Sequence, residues 1–383
     1  MRVVAVNAAF AAALESPEAL LDAYHTLTGW SSALVGADIH ADVIQTFWCD
    51  AAVTRGGVTY RFLDSTGPAR ALRARVLQAV ANLDPDVVHV NGVDAAPLAG
   101  HLRRRLPTRT AVVLQDHAGR PARAWSPGGI RQRFAMRGLD GYLFTHVEQA
   151  APWIARGCIA GPSRVHAVLE ASTTLRPVAR ATARAVTGVT GTPALLWVGR
   201  LDRNKDPLTV IAGFARALVD VPDATLTLVY GEERLLPQVR RLLAGSPRLR
   251  ERVRLVGRVP HAEMAAWYSA ADVFVLGSAE ESCGYALLEA SACGVVPVVT
   301  DIAPFRAITG NGAVGVLWPV GDSAACAAAM VRAAGARQPL AREAVLARFE
   351  HHLSWPRVGQ RARRIYETVL ERCRASDRTR EPA

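Results

Sequence analysis

Residues 278–294, SAEESCGYALLEASACG, decide the fold. They follow the apolar run Val273-Phe274-Val275-Leu276, whose pattern predicts a buried strand. A polar loop, 277–282, leads into 284–293, which is apolar on most sides and reads as a helix. Gly294 stops that helix, and 295–299 reads as the next buried strand. Strand, loop, helix and strand in this order form the unit of a parallel sheet. In such sheets ligands sit beyond the carboxyl ends of the strands, where a helix N-terminus offers N–H groups to an anion.

Two carboxylates interrupt this apolar unit: Glu281 in the loop, and Glu289 eight positions later inside the helix. A carboxylate on a buried helix is costly unless something donates to it. When ionised it only accepts, so adjacent hydroxyls of a sugar or ribose match it. Leu287, Leu288, Ala290 and Ala292 leave no polar face on which Glu289 could simply be hydrated. That weighs against a solvated pair of helix and loop acids.

Working outward, residues 176–193, RPVARATARAVTGVTGTP, carry no alternating pattern and read as a linker. The buried strand 194–198 then runs into Gly199-Arg200-Leu201-Asp202-Arg203-Asn204-Lys205-Asp206, with a helix starting at Pro207. Arg200 and Lys205 at a strand's carboxyl end suit a pyrophosphate clamp. Arginine grips phosphate oxygens bidentately, and lysine acts as a point charge. Lys205 is the only lysine in a chain of net charge +11, so its position stands out against an arginine-rich background. Neither a G-x-G-x-x-G fingerprint nor a P-loop pattern is present.

Toward the N-terminus, strand-like runs near 2–6, 42–47, 59–63, 86–90, 110–114, 141–145 and 164–169 alternate with helix-like ones. That alternation predicts an α/β architecture of doubly wound parallel sheets. One strand ends at Gln115-Asp116-His117, which puts His117 at the ligand edge, able to donate to a hydroxyl or buffer a proton. His89, inside its strand, is assigned to the core. Asp84-Pro85-Asp86 has the look of a metal-binding Asp-x-Asp, but it precedes its strand, at the wrong end of the sheet for a ligand.

At 383 residues the chain exceeds one core. The expected division is 1–185, 186–355, and a last helix with a tail over 356–383, the tail from Ala375 expected to be disordered. An apolar fraction of 50% and a charged fraction of 21% fit a soluble enzyme. No apolar run approaches the roughly 20 residues of a membrane span. Met1 to Leu14 imitates a signal peptide weakly, but 2–6 reads better as the first strand. Six cysteines without a Cys-x-x-Cys pair favour reduced thiols, a cytoplasmic location and no metal site. Residues 120–137 carry Arg120, Arg123, Arg131, Arg133 and Arg137 with Trp125 and Phe134 interleaved. They read as a mobile loop, either a solvated surface or a peripheral contact with an acidic membrane. No nucleic-acid-binding module is present, and no nucleic-acid partner is expected.

The second half resembles the nucleotide-sugar-binding half of a family 4 retaining glycosyltransferase (group 1) of the GT-B fold. Three segments carry the resemblance: the loop from Gly199-Arg200 to Lys205, Ala271-Asp272-Val273, and Glu281-x7-Glu289 running on to Pro297-Val298-Val299. Ser354-Trp355 and the last helix resemble the family's ending, where the chain crosses back to the first domain. The resemblance implies two Rossmann-like domains facing a cleft and a UDP- or GDP-linked sugar as donor substrate. It implies an unidentified acceptor, transfer without a metal or other cofactor, and a role in polysaccharide or glycoconjugate synthesis. By similarity, Arg200 and Lys205 hold the diphosphate with help from the backbone of Gly284 and Tyr285. Glu289 takes ribose hydroxyls, Glu281 takes hydroxyls of the transferred sugar, and His117 approaches that sugar from the first domain.

The chain departs from the family at Asn7-Ala8-Ala9-Phe10, where a glycine-rich turn is usual. It departs again at Leu169-Glu170-Ala171-Ser172, where a proline-asparagine-glycine turn is usual, and near Pro304-Phe305-Arg306. Two other classes share the architecture. An epimerase of nucleotide sugars does not demand this set of cations and acids at these spacings, and a non-catalytic nucleotide-binding protein would have no need of an intact clamp.

Overall fold

The computed structural model describes residues 1–11, 13–36, 38–335 and 338–378. The chain divides into two units, Met1–Ala171 with Trp355–Ala383, and Ser172–Ser354. The boundary expected at 185/186 thus falls at 171/172. The segment expected to be a linker carries a helix, Arg180–Thr187, that belongs to the second unit.

The first unit is built on eight strands: β1 (Arg2–Asn7), β2 (His40–Phe47), β3 (Ala51–Arg55), β4 (Val58–Asp64), β5 (Val87–Asn91), β6 (Ala111–Gln115), β7 (Gly141–Phe144) and β8 (Val165–Ala167). Their order is β3-β4-β2-β1-β5-β6-β7-β8. All pairs are parallel except β3 with β4, an antiparallel edge absent from the sequence reading. Its residues alternate between half-buried and exposed, so β3 lacks the apolar run that marks the inner strands. β5 and β6, by contrast, are apolar on both faces and almost wholly buried, as a doubly covered parallel sheet requires.

The terminal helix, Trp355–Arg378, belongs to this first unit. It runs past Ala375, where the sequence reading begins its tail, and 379–383 lie outside the described residues. It packs without a side chain at Gly359, where a Cβ would come within 2.0 Å of the Ala33 carbonyl oxygen. Its Tyr366 hydroxyl lies 2.6 Å from Nδ1 of His89, which is fully buried on β5. Burial pushes that imidazole down to about 3, so it stays neutral, in keeping with a core role.

The second unit holds six parallel strands: β9 (Ala194–Gly199), β10 (Thr225–Tyr230), β11 (Val253–Gly257), β12 (Val273–Leu276), β13 (Val296–Thr300) and β14 (Val316–Trp318), in the order β11-β10-β9-β12-β13-β14. From β9 the chain winds outward to β10 and β11, then jumps across β9 to place β12 on its other side. The order therefore reverses between β9 and β12. In the first unit it reverses in the same way between β1 and β5. At such a reversal neighbouring loops part in opposite directions and leave a crevice at the carboxyl ends of the strands.

Candidate functional site

The sequence-predicted donor-site residues all lie in the second unit: Arg200, Lys205 and Glu281 in the loops after β9 and β12, and Gly284, Tyr285 and Glu289 at the start of and within the helix that follows. The loop after β9 is closed by Asp202, whose carboxylate accepts the Lys205 N–H at 2.9 Å and pairs with Arg200 Nε at 3.0 Å. Asp206 then caps the helix Pro207–Ala217 through the Thr209 N–H. The loop after β12 is anchored where Thr300 of β13 donates to the Ser278 carbonyl at 2.6 Å.

The two loops are stitched together. Asn204 donates to the Glu280 carbonyl at 2.9 Å and accepts the Glu280 N–H at 3.0 Å, and its own carbonyl takes the Ala279 N–H at 2.8 Å. Beside this seam Lys205 Nζ forms an ion pair with Glu281 Oε1, which also accepts from Ser278 Oγ at 2.7 Å. The side chains of Lys205 and Glu281 are only 14% and 11% exposed. A pair so nearly buried gains little net stability once desolvation is counted, and removing one partner leaves the other's charge uncompensated. Arg200 stays about half exposed on the same loop.

The helix Tyr285–Ala292 follows Gly284, whose left-handed φ of 78° favours glycine. A Cβ there would also meet the Phe305 ring at 2.6 Å. No side chain caps this helix start. Glu289, on its buried face, is 4% exposed. Its two oxygens are held separately: Oε1 lies 2.6 Å from His261 Nε2, and Oε2 accepts from the Tyr268 hydroxyl at 2.9 Å. Burial, with the Glu289 charge beside it, pushes the Tyr268 phenol well above its ordinary range, so it remains a donor. The His261 ring stacks near the Tyr285 ring, 26° from parallel.

The structure thus joins Lys205 to Glu281 directly and gives Arg200 and Glu289 partners of their own. Sequence reasoning missed Asn204, His261 and Tyr268. Of these, only the polar run 202–206 gave a local signal; His261 and Tyr268 meet Glu289 across 28 and 21 residues.

His117 belongs to the first unit, just beyond β6. Its Nδ1 lies 2.8 Å from Glu170 Oε2 and its Nε2 3.4 Å from Asn91 Oδ1. Burial alone lowers the imidazole pKa, but the Glu170 hydrogen bond and charge, with Asp116, outweigh it and leave it raised. Asp116 is itself pushed up to about 6, chiefly by burial. The segment 120–137, expected as a loop, contains a helix, Pro127–Met136, capped by Ser126 with proline at its first turn.

Comparison with known proteins fits this geometry. Residues 192–335 match the family described as "Glycosyl transferases group 1". The chain is 34% identical over 182 residues to a phosphatidyl-myo-inositol mannosyltransferase of Mycobacterium leprae, covering 46% of each chain. It is 35% identical over 130 residues to a D-inositol 3-phosphate glycosyltransferase of Streptosporangium roseum, covering 32% of this chain and 30% of the relative. The chain spans less than half the length of both these curated relatives. HepE of Anabaena, solved in complex with UDP, superposes with a TM-score of 0.72 at 16% identity, over 96% of this chain and all of that one. The fold is GT-B, and residues 192–335 are similar to the group 1 glycosyltransferase domain.

Proposed function

We propose that the chain transfers a sugar from a nucleotide-diphosphate sugar to an acceptor hydroxyl, with retention at the anomeric carbon, in polysaccharide or glycoconjugate synthesis. The observation that carries this reading is the Lys205–Glu281 contact at the β9/β12 reversal, inside the segment matched to the group 1 family. As the anomeric carbon becomes cationic, charge builds on the departing diphosphate. Arg200 and Lys205, with the N–H groups of Gly284 and Tyr285 at the uncapped helix start, meet that charge. They fill the part a metal ion plays in other transferases.

A diphosphate competes with Glu281 for Lys205, which frees Glu281 to accept hydroxyls of the transferred sugar. Glu289, its plane fixed by His261 and Tyr268, accepts from the ribose. His117 is assigned to a hydroxyl of the transferred sugar, reached from Nε2. The nascent phosphate, on the face from which the acceptor attacks, takes the acceptor's proton. The donor class is supported by HepE, whose solved complex contains UDP.

Thermal-shift measurements with UDP, GDP and their sugar derivatives test the reading. One base should stabilise the protein, and proton NMR of the product should show the donor's anomeric configuration. Turnover with inversion, or no stabilisation by any nucleotide, overturns it.

A peripheral membrane contact is proposed at the helix Pro127–Met136. Trp125 and Phe134 are 87% and 76% exposed there, among Arg123, Arg131, Arg133 and Arg137. Flotation with anionic vesicles should exceed that with zwitterionic ones and fall with salt. Equal flotation of a Trp125→Ser/Phe134→Ser variant counts against it. Among the described residues, no helix is long and apolar enough to cross a membrane.

A further inference from the structure

The β1/β5 reversal in the first unit opens into a cavity of about 440 Å³. Asn7 and Asn91 end the two strands side by side in register, and both line it. Gln45 and Gln115 add two further amides, and Trp30, Leu27 and Val93 supply apolar wall. Two carboxylates, Asp94 and Glu170, face it, and none of its described lining residues is lysine or arginine. The only lining group able to carry positive charge is His117, already paired with Glu170.

We propose that this cavity seats an uncharged polyol, the acceptor's reactive portion, and rejects its phosphate monoester. The assignment as acceptor rests on the transfer reading above; the preference for a neutral ligand rests on the wall itself. A phosphate needs bidentate cations or a free helix N-terminus. Here the turn Val93–Ala95 that starts the following helix already carries Asp94, an exposed acid, in its first turn. A hydroxyl both donates and accepts, whereas a phosphate dianion only accepts. The described wall holds buried groups of both kinds without a hydrogen-bond partner: the donors Asn7 Nδ2, Trp30 Nε1 and Gln115 Nε2, and the acceptor Gln45 Oε1. Gln45 is fully buried, its amide nitrogen spent on the carbonyls of Ala9 and Thr46. Leaving such atoms unpaired is costly, and a polyol, which donates and accepts, can pair with both kinds. The relatives named for inositol phosphate and phosphatidylinositol substrates would differ from this chain at that point.

The test uses the full chain without nucleotide. Saturation-transfer NMR titrations compare myo-inositol and methyl α-D-mannopyranoside with myo-inositol 1-phosphate and inorganic phosphate, in the wild type, Asp94→Lys and Gln45→Leu. The wild type should bind a neutral probe at least about tenfold more tightly than the phosphorylated one. Asp94→Lys, a surface change, should narrow or invert that ratio, and Gln45→Leu should weaken the neutral probe. Phosphate held elsewhere is insensitive to Asp94. The proposal is overturned if the phosphorylated probe binds as tightly as the neutral one in an Asp94-sensitive manner, if no neutral probe binds, or if Asp94→Lys leaves the ratio unchanged. With no nucleotide present, failure here leaves the donor reading standing, and failure of the donor reading leaves this binding untouched.

Discussion

At the β9/β12 reversal the facing loops are joined by a lysine and a glutamate, with an arginine beside them; at the β1/β5 reversal the same topological position holds two asparagines. Both crevices arise because a parallel sheet changes winding direction, and the backbone makes no chemical distinction between them. The side chains make the difference. The second unit places Arg200 and Lys205 at its reversal, each paired with an acid. The first withholds lysine and arginine from its described cavity wall and offers amides and carboxylates instead. One fold repeated thus carries paired cations and acids at one reversal and amides with carboxylates at the other, a difference of side chains and not of fold.

The strongest way to break this contrast is to remove the lysine. Lys205→Met should lower turnover by about 10²–10³-fold, the scale expected for loss of one group that stabilises developing charge. Because it strands Glu281 near burial, it should also lower Tm. The double variant Lys205→Met/Glu281→Gln should recover Tm but not turnover. If Lys205→Met alone keeps wild-type turnover, the second crevice has no claim to be an anion site. Next in size, Glu289→Gln should raise the KM for the donor by about tenfold with a smaller change in kcat, as loss of a charged hydrogen-bond acceptor predicts. Titration of nucleotide against the variant, followed by intrinsic fluorescence, would show the same loss in Kd.

How far this contrast was legible in the chain depends on the kind of interaction. Arg200, Lys205 and Glu281 follow the ends of apolar strands and Glu289 interrupts an apolar helix, so periodicity itself exposes them. The partners that orient them are another matter, since nothing local to His261 or Tyr268 marks either as the neighbour of Glu289. The helix Arg180–Thr187 was hidden for a related reason. Its buried residues are Ala183 and Thr187, which give little apolar contrast, and it is tied instead to Asp272 of the second unit by Arg180 and by Arg184 at 3.1 Å. Ion pairs between residues some ninety positions apart leave no period in the sequence. Glu170 is the sharpest case. It stood out only as a departure from an expected turn, yet the fold makes it the partner of His117.

A smaller effect tests whether the two crevices are independent. Gly284→Ala puts a Cβ into the Phe305 ring and forces an L-residue into a left-handed conformation, which should cost roughly 1–3 kcal/mol of stability. It should also tilt the start of the helix that carries Glu289, weakening nucleotide binding while leaving polyol binding in the first unit unchanged. Urea denaturation and the two titrations read these outcomes separately. A parallel loss of polyol binding would mean that the crevices are coupled and that the comparison misstates them as separate sites.

The smallest effect is a matter of pH. The folded chain holds the His117 proton to higher pH than the unfolded chain, whose imidazole releases it near about 6.5. Stability from the His117–Glu170 pair is therefore complete below about pH 6.5 and is lost as pH rises through the raised value. Asp116, pushed up to about 6 by burial, contributes with the same sign, but its range ends below neutrality. His89, pushed down to about 3 by burial, acts with the opposite sign, since stability is lost as pH falls through the acid range. Above about pH 6.5, His117 is then the only one of these three groups whose titration bears on stability. Glu170→Gln should flatten the fall of Tm from there toward pH 8, by an amount under about 1 kcal/mol because the ring is 38% exposed and partly screened. Lys205→Met should leave that slope as it is. If the slope survives Glu170→Gln unchanged, the first crevice carries no imidazolium at neutral pH. Its wall would then be more negative still, which would sharpen the contrast with the second unit and strip His117 of its place as a donor from a charged ring.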